Sequence, residues 1–202
     1  MRPLVDKIED IVIVEDLALE LPGDEERRSQ FVALAGRLAG YKMIALHPLS
    51  ESIGVLPTGV ELGLALAQVS GSTAALVDAN HRWPALEGET QPGDHRHEEE
   101  HVFATRWIQG SLALLLPRVP GAAGAGLPAL AALLRSSRDL FAHILIDLTG
   151  YKRLGELPAA LMLCDGVVAI ARAGETTEDE LLRMQHELPP EKNLGTLLVG
   201  RS

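Results

Sequence analysis

Two aspartates directly follow short apolar runs of the sequence, where a carboxylate is well placed to hold a metal ion or its bound water. Asp78 comes after the run Ala74–Val77, and Asp147 comes after Ile144–Ile146. In a parallel sheet the carboxyl ends of the strands form the ligand-binding edge, so both side chains are candidates for a site. The alternative is that each aspartate caps a turn or the following helix. Spacing alone leaves both interpretations open.

A second candidate is the segment His97–His101, with the sequence HEEEH, which matches the zinc motif HExxH. Two histidines four residues apart share a helix face and can bind zinc, with Glu98 as general base. The neighbouring residues are charged rather than apolar, which favours an exposed segment with at most adventitious metal binding. A metal-dependent hydrolase at His97 and His101 is therefore a remote alternative.

The elements that must position these residues follow from the apolar pattern. Seven short apolar runs predict buried strands, namely Ile11–Val14, Lys42–Leu46, Ala74–Val77, Leu112–Leu116, Ile144–Ile146, Val167–Ile170 and Thr196–Val199. Helical spacing predicts five helices, over Asp24–Leu38, Thr58–Gln68, Leu127–Leu140, Glu156–Met162 and Thr177–Leu188. Thr177 followed by Glu180 predicts a capping box at the start of the last helix. Buried strands that alternate with helices indicate an α/β fold, with a mainly parallel sheet and helices on both faces.

Two polar or glycine-rich stretches separate these elements. Glu87–Glu100 is polar and predicts an exposed excursion, and Pro120–Pro128 predicts a flexible connection.

Composition restricts the class of protein. The chain has 202 residues, of which 47% are hydrophobic and 23% charged, as in a globular domain, and we expect one domain over residues 1–202. The net charge of −10 argues against a general nucleic-acid surface. Cys164 is the only cysteine, so no internal disulfide can form. No apolar run reaches the roughly 18 residues of a membrane span, and we expect a cytoplasmic protein without membrane insertion.

Several motifs resemble those of the bacterial tyrosine kinases that control polysaccharide export, within the wider ParA/MinD group of P-loop ATPases. "ALVDANHRWPAL", from Ala75, is similar to their second-strand motif LLVDxDxRxPxL. "HILIDLTG", from His143, and "LMLCDGVVAIARAGETT", from Leu161, resemble their third motif and the segment after it. The resemblance extends from about Asp24 to Arg201. It implies a P-loop NTPase-like three-layer sandwich, in which Asp78 and Asp147 lie at neighbouring strand ends.

The chain departs from this family where the family binds nucleotide. Val55-Leu56-Pro57-Thr58 stands in place of the Gly-Lys-Ser/Thr end of the phosphate loop, and no lysine occurs between Lys42 and Lys152. Leu56 has no charge for the phosphates, and Pro57 lacks a backbone donor. Asn80 replaces the second acidic residue of the second-strand motif. The resemblance leaves Thr58, Asp78 and Asp147 as a vestigial site, with Thr58 in the place of the metal-ligand hydroxyl. We expect no cofactor and no catalytic residue, with ATP and Mg²⁺ as the alternative.

Glu25–Phe31, "EERRSQF", partly resembles the ExxRxxR signature of the helix that joins subunits in those kinases. Glu25 and Arg28 match, and Phe31 stands where the last arginine would be. The resemblance implies an interface formed by Glu25, Arg28 and Phe31. The alternative is that Phe31 belongs to the core, since Phe31, Leu34, Ala35 and Leu38 fall at helical spacing.

Together these features predict a pseudo-ATPase that acts as a scaffold or regulator. By resemblance, its partner is another copy of the chain, a homologous ATPase, or the envelope machinery of polysaccharide export. The alternative is a divergent nucleotide-binding ATPase or kinase-like protein that uses Thr58, Asp78 and Asp147. A tyrosine-kinase activity is disfavoured because such kinases carry a C-terminal tyrosine cluster, whereas this chain has only Tyr41 and Tyr151.

Overall fold

A computed structural model describes residues 11–14, 25–50, 52–80, 103–117 and 126–200 of the chain. Within these residues eight strands form one sheet. They are β1 (Ile11–Val14), β2 (Met43–Pro48), β3 (Ala74–Asp78), β4 (Phe103–Ile108), β5 (Leu112–Pro117), β6 (His143–Asp147), β7 (Gly166–Arg172) and β8 (Asn193–Val199). Their order across the sheet is β1-β4-β5-β3-β6-β2-β7-β8.

Among the described strands, every neighbouring pair is parallel except β4 and β5, which are antiparallel. This confirms the predicted α/β fold with a mainly parallel sheet. The sequence pattern did not predict β4. A turn at Gln109 and Gly110 joins it to β5, and both residues have positive φ (50° and 65°). The N–H of Ser111 donates to the carbonyl of Ile108 across this turn, at 3.2 Å. Positive φ at both central residues is the signature of a type I′ turn, which suits the twist of a hairpin.

Five α-helices are described, and they cover both faces of the sheet. They are α1 (Glu25–Leu38), α2 (Leu56–Ser70), α3 (Gly126–Ser137), α4 (Leu157–Leu161) and α5 (Glu178–Glu187). Strand β2 shows the division of the core. Ile44 and Leu46 pack with buried residues of α1 and α2, whereas Met43 and Ala45 pack with those of α3, α4 and α5. The result is the three-layer arrangement that the sequence predicts, since successive side chains of a strand point to opposite faces.

Helix α2 lies very close to the sheet because glycine faces the strands. A Cβ atom added at Gly63 would lie 2.7 Å from Cδ1 of Leu112, and one added at Gly59 would lie 3.0 Å from both Cδ atoms of Leu76. The helix ends at Gly71, whose φ of 63° is left-handed, and the cap N–H donates to the carbonyl of Ala67. Glycine is favoured at such a helix end because it has no Cβ to clash.

The predicted element boundaries hold within a few residues, with one correction. Helix α3 begins at Gly126, so Gly126–Pro128 is helical and not part of the predicted flexible connection, whose residues 120–125 lie outside the described residues. The predicted excursion Glu87–Glu100 also lies outside them. The capping box of α5 is confirmed: the Thr177 side chain accepts from the Glu180 N–H, and the Glu180 carboxylate accepts from the Thr177 N–H. No helix in the described part of the chain is long and apolar enough to cross a membrane.

Candidate functional site

The two aspartates predicted to be neighbours lie at the same edge of the sheet. Asp78 ends β3 and Asp147 ends β6, and the two residues are partners in the parallel register of these adjacent strands. The pairing continues past them, because the N–H of Ala79 donates to the carbonyl of Asp147 at 3.3 Å. Both aspartates are buried, at 0% and 2% exposure. The structure therefore brings two carboxyl groups out of water at one point of the ligand-binding edge.

Local turns hold each of these carboxyl groups. Oδ1 of Asp147 accepts hydrogen bonds from the N–H and the hydroxyl of Thr149, at 2.8 and 2.5 Å. Oδ1 of Asp78 accepts from the N–H of Asn80 at 3.0 Å. All three bonds join residues two positions apart, as in the turn-capping role that the sequence left open for these aspartates. The hydroxyl of Tyr151 donates to the carbonyl of Ala79 at 3.2 Å and ties the two turns together.

Burial changes the protonation of Asp147. The pKa of this carboxyl rises from 3.8 to about 7, mainly through burial, with the Asp78 charge also raising it and the hydrogen bonds from Thr149 lowering it. A buried carboxyl group loses hydration that its charged form needs, so it retains its proton to a higher pH. Near neutral pH Asp147 is therefore partly protonated. In that form it can donate a hydrogen bond, whereas an ionised carboxylate can only accept.

Between β2 and the start of α2, three apolar side chains are buried. Ile53, Val55 and Leu56 are 1%, 2% and 8% exposed and belong to the core on the α1–α2 face. Thr58 follows in the first turn of α2 and is 4% exposed. Helix α2 packs against β3 and β6, the strands that carry Asp78 and Asp147. Thr58, Asp78 and Asp147 thus lie on elements that contact one another. Asp78 and Asp147 are in addition direct partners in the register of β3 and β6.

These residues do not fit the triphosphate of ATP. The phosphates of a bound nucleotide need a lysine ammonium and a glycine-rich backbone that wraps around them. At the start of α2, Leu56 is an uncharged side chain packed into the core, together with Ile53 and Val55. No chemical step through ATP and Mg²⁺ follows from this arrangement.

The other predicted metal site is not described. His97 and His101 lie outside the described residues. Within the ranges that the structure does cover, no group of three or more histidine, cysteine, aspartate or glutamate residues is arranged to hold a metal ion.

The predicted interface on α1 needs one correction. Phe31 is 7% exposed and packs in the core, so it is not part of a contact surface; the core alternative holds. Glu25 and Arg28 are exposed, and an Arg28 nitrogen donates to the amide oxygen of Gln68 on α2 at 3.2 Å. The sequence pattern missed Arg27, which donates two hydrogen bonds of 2.7 Å to the Glu61 carboxylate, also on α2. Within this chain, Arg27 and Arg28 therefore bind α1 to α2.

A cavity that the motifs did not predict opens at the end of β2. It has a volume of about 230 Å³ and is lined by His47, Pro48, Leu49, Gly150, Lys152 and Arg153. Lys152 and Arg153 come from the segment after β6, about a hundred residues away in sequence. Because these two residues are far from His47 in sequence, no local motif could indicate that they line one cavity. The spatial neighbourhood of β2 and β6 in the sheet brings them together.

Comparison with solved structures places this fold among bacterial tyrosine kinase domains. The VpsO kinase domain matches with a TM-score of 0.64 and 18% identity, over 88% of this chain and 98% of that one. The BceF tyrosine kinase domain matches with a TM-score of 0.62 and 22% identity, over 92% and 82%. The kinase domain of the Escherichia coli tyrosine kinase ETK matches with a TM-score of 0.63 and 17% identity, over 92% and 81%.

At these identities the likeness establishes the fold, which is the ParA/MinD-like P-loop fold of such kinase domains. No family model and no curated protein sequence matches the chain.

Proposed function

We propose that this chain is a catalytically inactive member of the P-loop fold that works by association, as a scaffold or regulator. One observation carries the proposal: Ile53 and Val55 in the loop before α2, and Leu56 at the start of α2, are buried in the core on the α1–α2 face. A P-loop protein that binds nucleotide keeps this region open and polar, because the backbone N–H groups there must reach the phosphates. An apolar core in the same place is compatible with a rigid fold and incompatible with a phosphate cradle.

The sequence resemblance and the fold are what support the process and the partner that we propose. Kinase domains are the structural neighbours, and the motifs resemble those of the kinases of polysaccharide export. We infer that the partner is a second copy of the chain, a homologous ATPase, or a component of the polysaccharide-export machinery in the envelope. The chain would act on the cytoplasmic side, as the resemblance implies. The exposed residues Glu25 and Arg28 of α1 are the candidate contact surface, now without Phe31.

The first test is calorimetric titration of the purified protein with ATP and Mg²⁺, together with a phosphate-release assay. We expect no binding in the micromolar range and no hydrolysis, because no lysine or glycine-rich backbone is available at α2. Micromolar binding of Mg²⁺-ATP would contradict the proposal. It would favour the divergent nucleotide-binding ATPase, in which Asp78 and Asp147 hold the metal or its water.

The second test concerns association. Light scattering measures the mass of the wild type, alone and with candidate ATPase partners, beside the double variant Glu25→Ala/Arg28→Ala. The matched control is Glu178→Ala/Arg183→Ala on α5, which removes one charge of each sign from exposed positions on the other face of the sheet. We expect the α1 variant to lose assembly and the α5 variant to keep it. A wild type that is strictly monomeric and binds no partner contradicts the proposal. An α1 variant that assembles normally would show that the contact surface does not include Glu25 and Arg28.

A further inference from the structure

Strand β8 forms one edge of the sheet. It pairs in parallel with β7, and among the described strands it has no neighbour on its other side. The pairing has a register shift at Val167/Val168 and then runs regularly through Gly195–Val199, opposite Val168–Arg172. An edge of this kind leaves a row of backbone N–H and C=O groups with which a further strand can pair.

One hydrogen bond identifies the residues of β8 whose backbone faces outwards. The N–H of Ala173, just after β7, donates to the carbonyl of Val199 at 2.9 Å, so Val199 directs its backbone groups towards β7. These groups alternate between the two sides along a strand, so Thr196 and Leu198 direct theirs away from β7. The side chains of both residues are exposed as well, and that of Leu198 is apolar and 63% exposed.

The strand lacks the features that usually protect an edge. Edge strands are commonly guarded by lysine, proline or a bulge, and the run from Asn193 to Gly200 contains no charged residue and no proline. Lys192 comes just before it, but its Nζ donates to the carbonyls of Leu161 and Cys164, at 2.7 and 2.8 Å. The register shift lies at the start of β8 and leaves the rest of the strand regular. The outer side of β8 is therefore open to pairing.

Charge favours a second copy of the chain as the occupant of this edge. Each copy has a net charge of −10, so two copies can approach closely only where no acidic side chains face each other. The uncharged run of β8 is such a place, and it offers no counter-charge to an acidic or basic partner. Two identical strands that meet antiparallel about a two-fold axis are also self-complementary, because each outward N–H faces an outward C=O.

We propose that β8 joins two copies of the chain into an antiparallel, two-fold symmetric pair with one continuous sheet. With Leu197 of both copies at the axis, Thr196 of each copy lies opposite Leu198 of the other, and these residues exchange about four hydrogen bonds. Val199 of each copy then faces Gly195 of the other. Gly195 leaves room for it, since a Cβ atom added there meets no atom within 4 Å.

The contact is small, so the pair is weak. A single pair of strands buries less than the roughly 1,200 Å² of a stable complex, and we expect a dissociation constant of about 50–500 µM. Sedimentation equilibrium of the full chain measures it. Raising the salt concentration from about 0.05 to about 0.5 M should tighten the pair, because salt screens the repulsion between two acidic copies. A wild type that stays monomeric at about 500 µM, or a pair that salt weakens, would overturn the proposal.

Two variants of Leu198 test the edge itself. Leu198→Pro removes the outward N–H and leaves the bonds to β7, because proline is tolerated where the N–H side of an edge strand faces solvent. Leu198→Lys places a charge at the centre of the contact and does not restrict the backbone. Each should weaken the pair at least about tenfold, and thermal unfolding verifies that each variant is folded. If Leu198→Pro does not fold, Leu198→Lys decides.

The matched control is Leu182→Lys, which adds the same charge at a leucine of α5 that is 47% exposed. We expect it to pair like the wild type. Equal weakening in this control would show only an effect of surface charge and would overturn the proposal, as would wild-type affinity in Leu198→Lys.

The β8 pair is separate from the α1 surface and is measured separately from it. At about 1 µM the pair is almost fully dissociated, so light scattering there reports on the α1 surface alone. At about 500 µM, Glu25→Ala/Arg28→Ala should pair through β8 like the wild type, and loss of pairing in this variant would overturn the proposal. A chain that does not pair with itself, but loses a partner ATPase through Leu198→Lys, would assign the edge to a strand of that partner and exclude the second copy.

Discussion

Asp78 and Asp147 lie opposite each other in the register of two adjacent parallel strands, and both side chains are withdrawn from water. The arrangement places two acids side by side, and the pKa of Asp147 rises to about 7 through burial, with a further contribution from the Asp78 charge. Two like charges in such a place cannot both ionise without cost. The pair is therefore a source of pH-dependent stability, whether or not it ever serves a metal ion.

The first prediction concerns Asp147→Asn. The folded chain binds a proton at Asp147 more tightly than the unfolded chain, so this group's stabilisation is complete below about pH 4 and is lost as the pH rises through about 7. Asparagine keeps the Oδ1 acceptor for Thr149 and has no charge to bury. The variant should equal the wild type in unfolding free energy near pH 4 and exceed it by up to about 4 kcal/mol at pH 8. Urea unfolding at several pH values measures this difference.

A difference between variant and wild type that is constant with pH would contradict this prediction, because it would mean that Asp147 titrates alike in the folded and unfolded chains. Thr149→Val is the companion variant. It removes the hydroxyl that stabilises the charged carboxylate, so the pH-dependent loss of stability should grow.

The second prediction has the opposite sign and concerns His47→Leu. The pKa of His47 falls from 6.5 to about 4 on folding, through burial and the charge of Lys152, which Glu187 partly offsets. The unfolded chain binds this proton more tightly, so the wild type loses stability as the pH falls from about 6.5 to 4. The variant lacks this loss, which amounts to up to about 3 kcal/mol. Parallel stability curves for the two proteins over this range, by the same urea method, would refute the prediction.

The third prediction tests the closed loop before α2 with Leu56→Lys. The new ammonium group would have to enter the apolar core, so the variant should lose about 2–5 kcal/mol of unfolding free energy. It should still not bind Mg²⁺-ATP, because the glycine-rich backbone is missing too. Pro57→Lys is the control: Pro57 is exposed, and the same charge there should change stability by less than about 1 kcal/mol. Micromolar nucleotide binding by the Leu56 variant in calorimetry would show that one side chain alone closes the site.

Most of the fold could be predicted from the sequence because buried parallel strands read as continuous apolar runs. Strand β4 could not, because Arg106 and Trp107 interrupt its pattern and only Phe103, Thr105 and Ile108 are fully buried. Its antiparallel partner is joined by Gln109 and Gly110, and this pair is a weaker hairpin signal than Asn-Gly. A half-buried strand beside a long polar stretch has no local pattern that separates it from a loop.

The residues of the candidate site could likewise be predicted only in part from the sequence. Motif order predicted that Asp78 and Asp147 would be neighbours, since the motifs mark the ends of particular strands. Phe31 illustrates the limit of such a signature, because a position that resembles an interface residue can equally complete the apolar stripe of its helix. Lys152 and Arg153 could not be connected to His47 from sequence, because only the adjacency of β2 and β6 brings these segments together.

The fourth prediction compares two glycines that lie in helices but face different surroundings. Gly36 in α1 is exposed, and a Cβ added there meets no atom within 4 Å. Gly36→Ala should therefore raise the unfolding free energy by about 0.5–1 kcal/mol through helix propensity. Gly63→Ala in α2 gains the same propensity but drives its Cβ to 2.7 Å from Cδ1 of the fully buried Leu112. The clash should make it less stable than Gly36→Ala by about 1–3 kcal/mol in urea unfolding.

A double-mutant cycle then decides whether the contact with Leu112 is the cause. Leu112→Ala alone should cost about 2–5 kcal/mol, because it leaves a cavity under α2. In the double variant the new methyl group at position 63 enters that cavity, so the combined loss should be smaller than the sum of the single losses by about 0.5–3 kcal/mol. Strict additivity would mean that Gly63 is required for another reason, and equal stability of the Gly36 and Gly63 variants would mean that α2 can move away from the sheet. Either result would show that the short distance between α2 and the sheet does not explain why glycine occupies position 63.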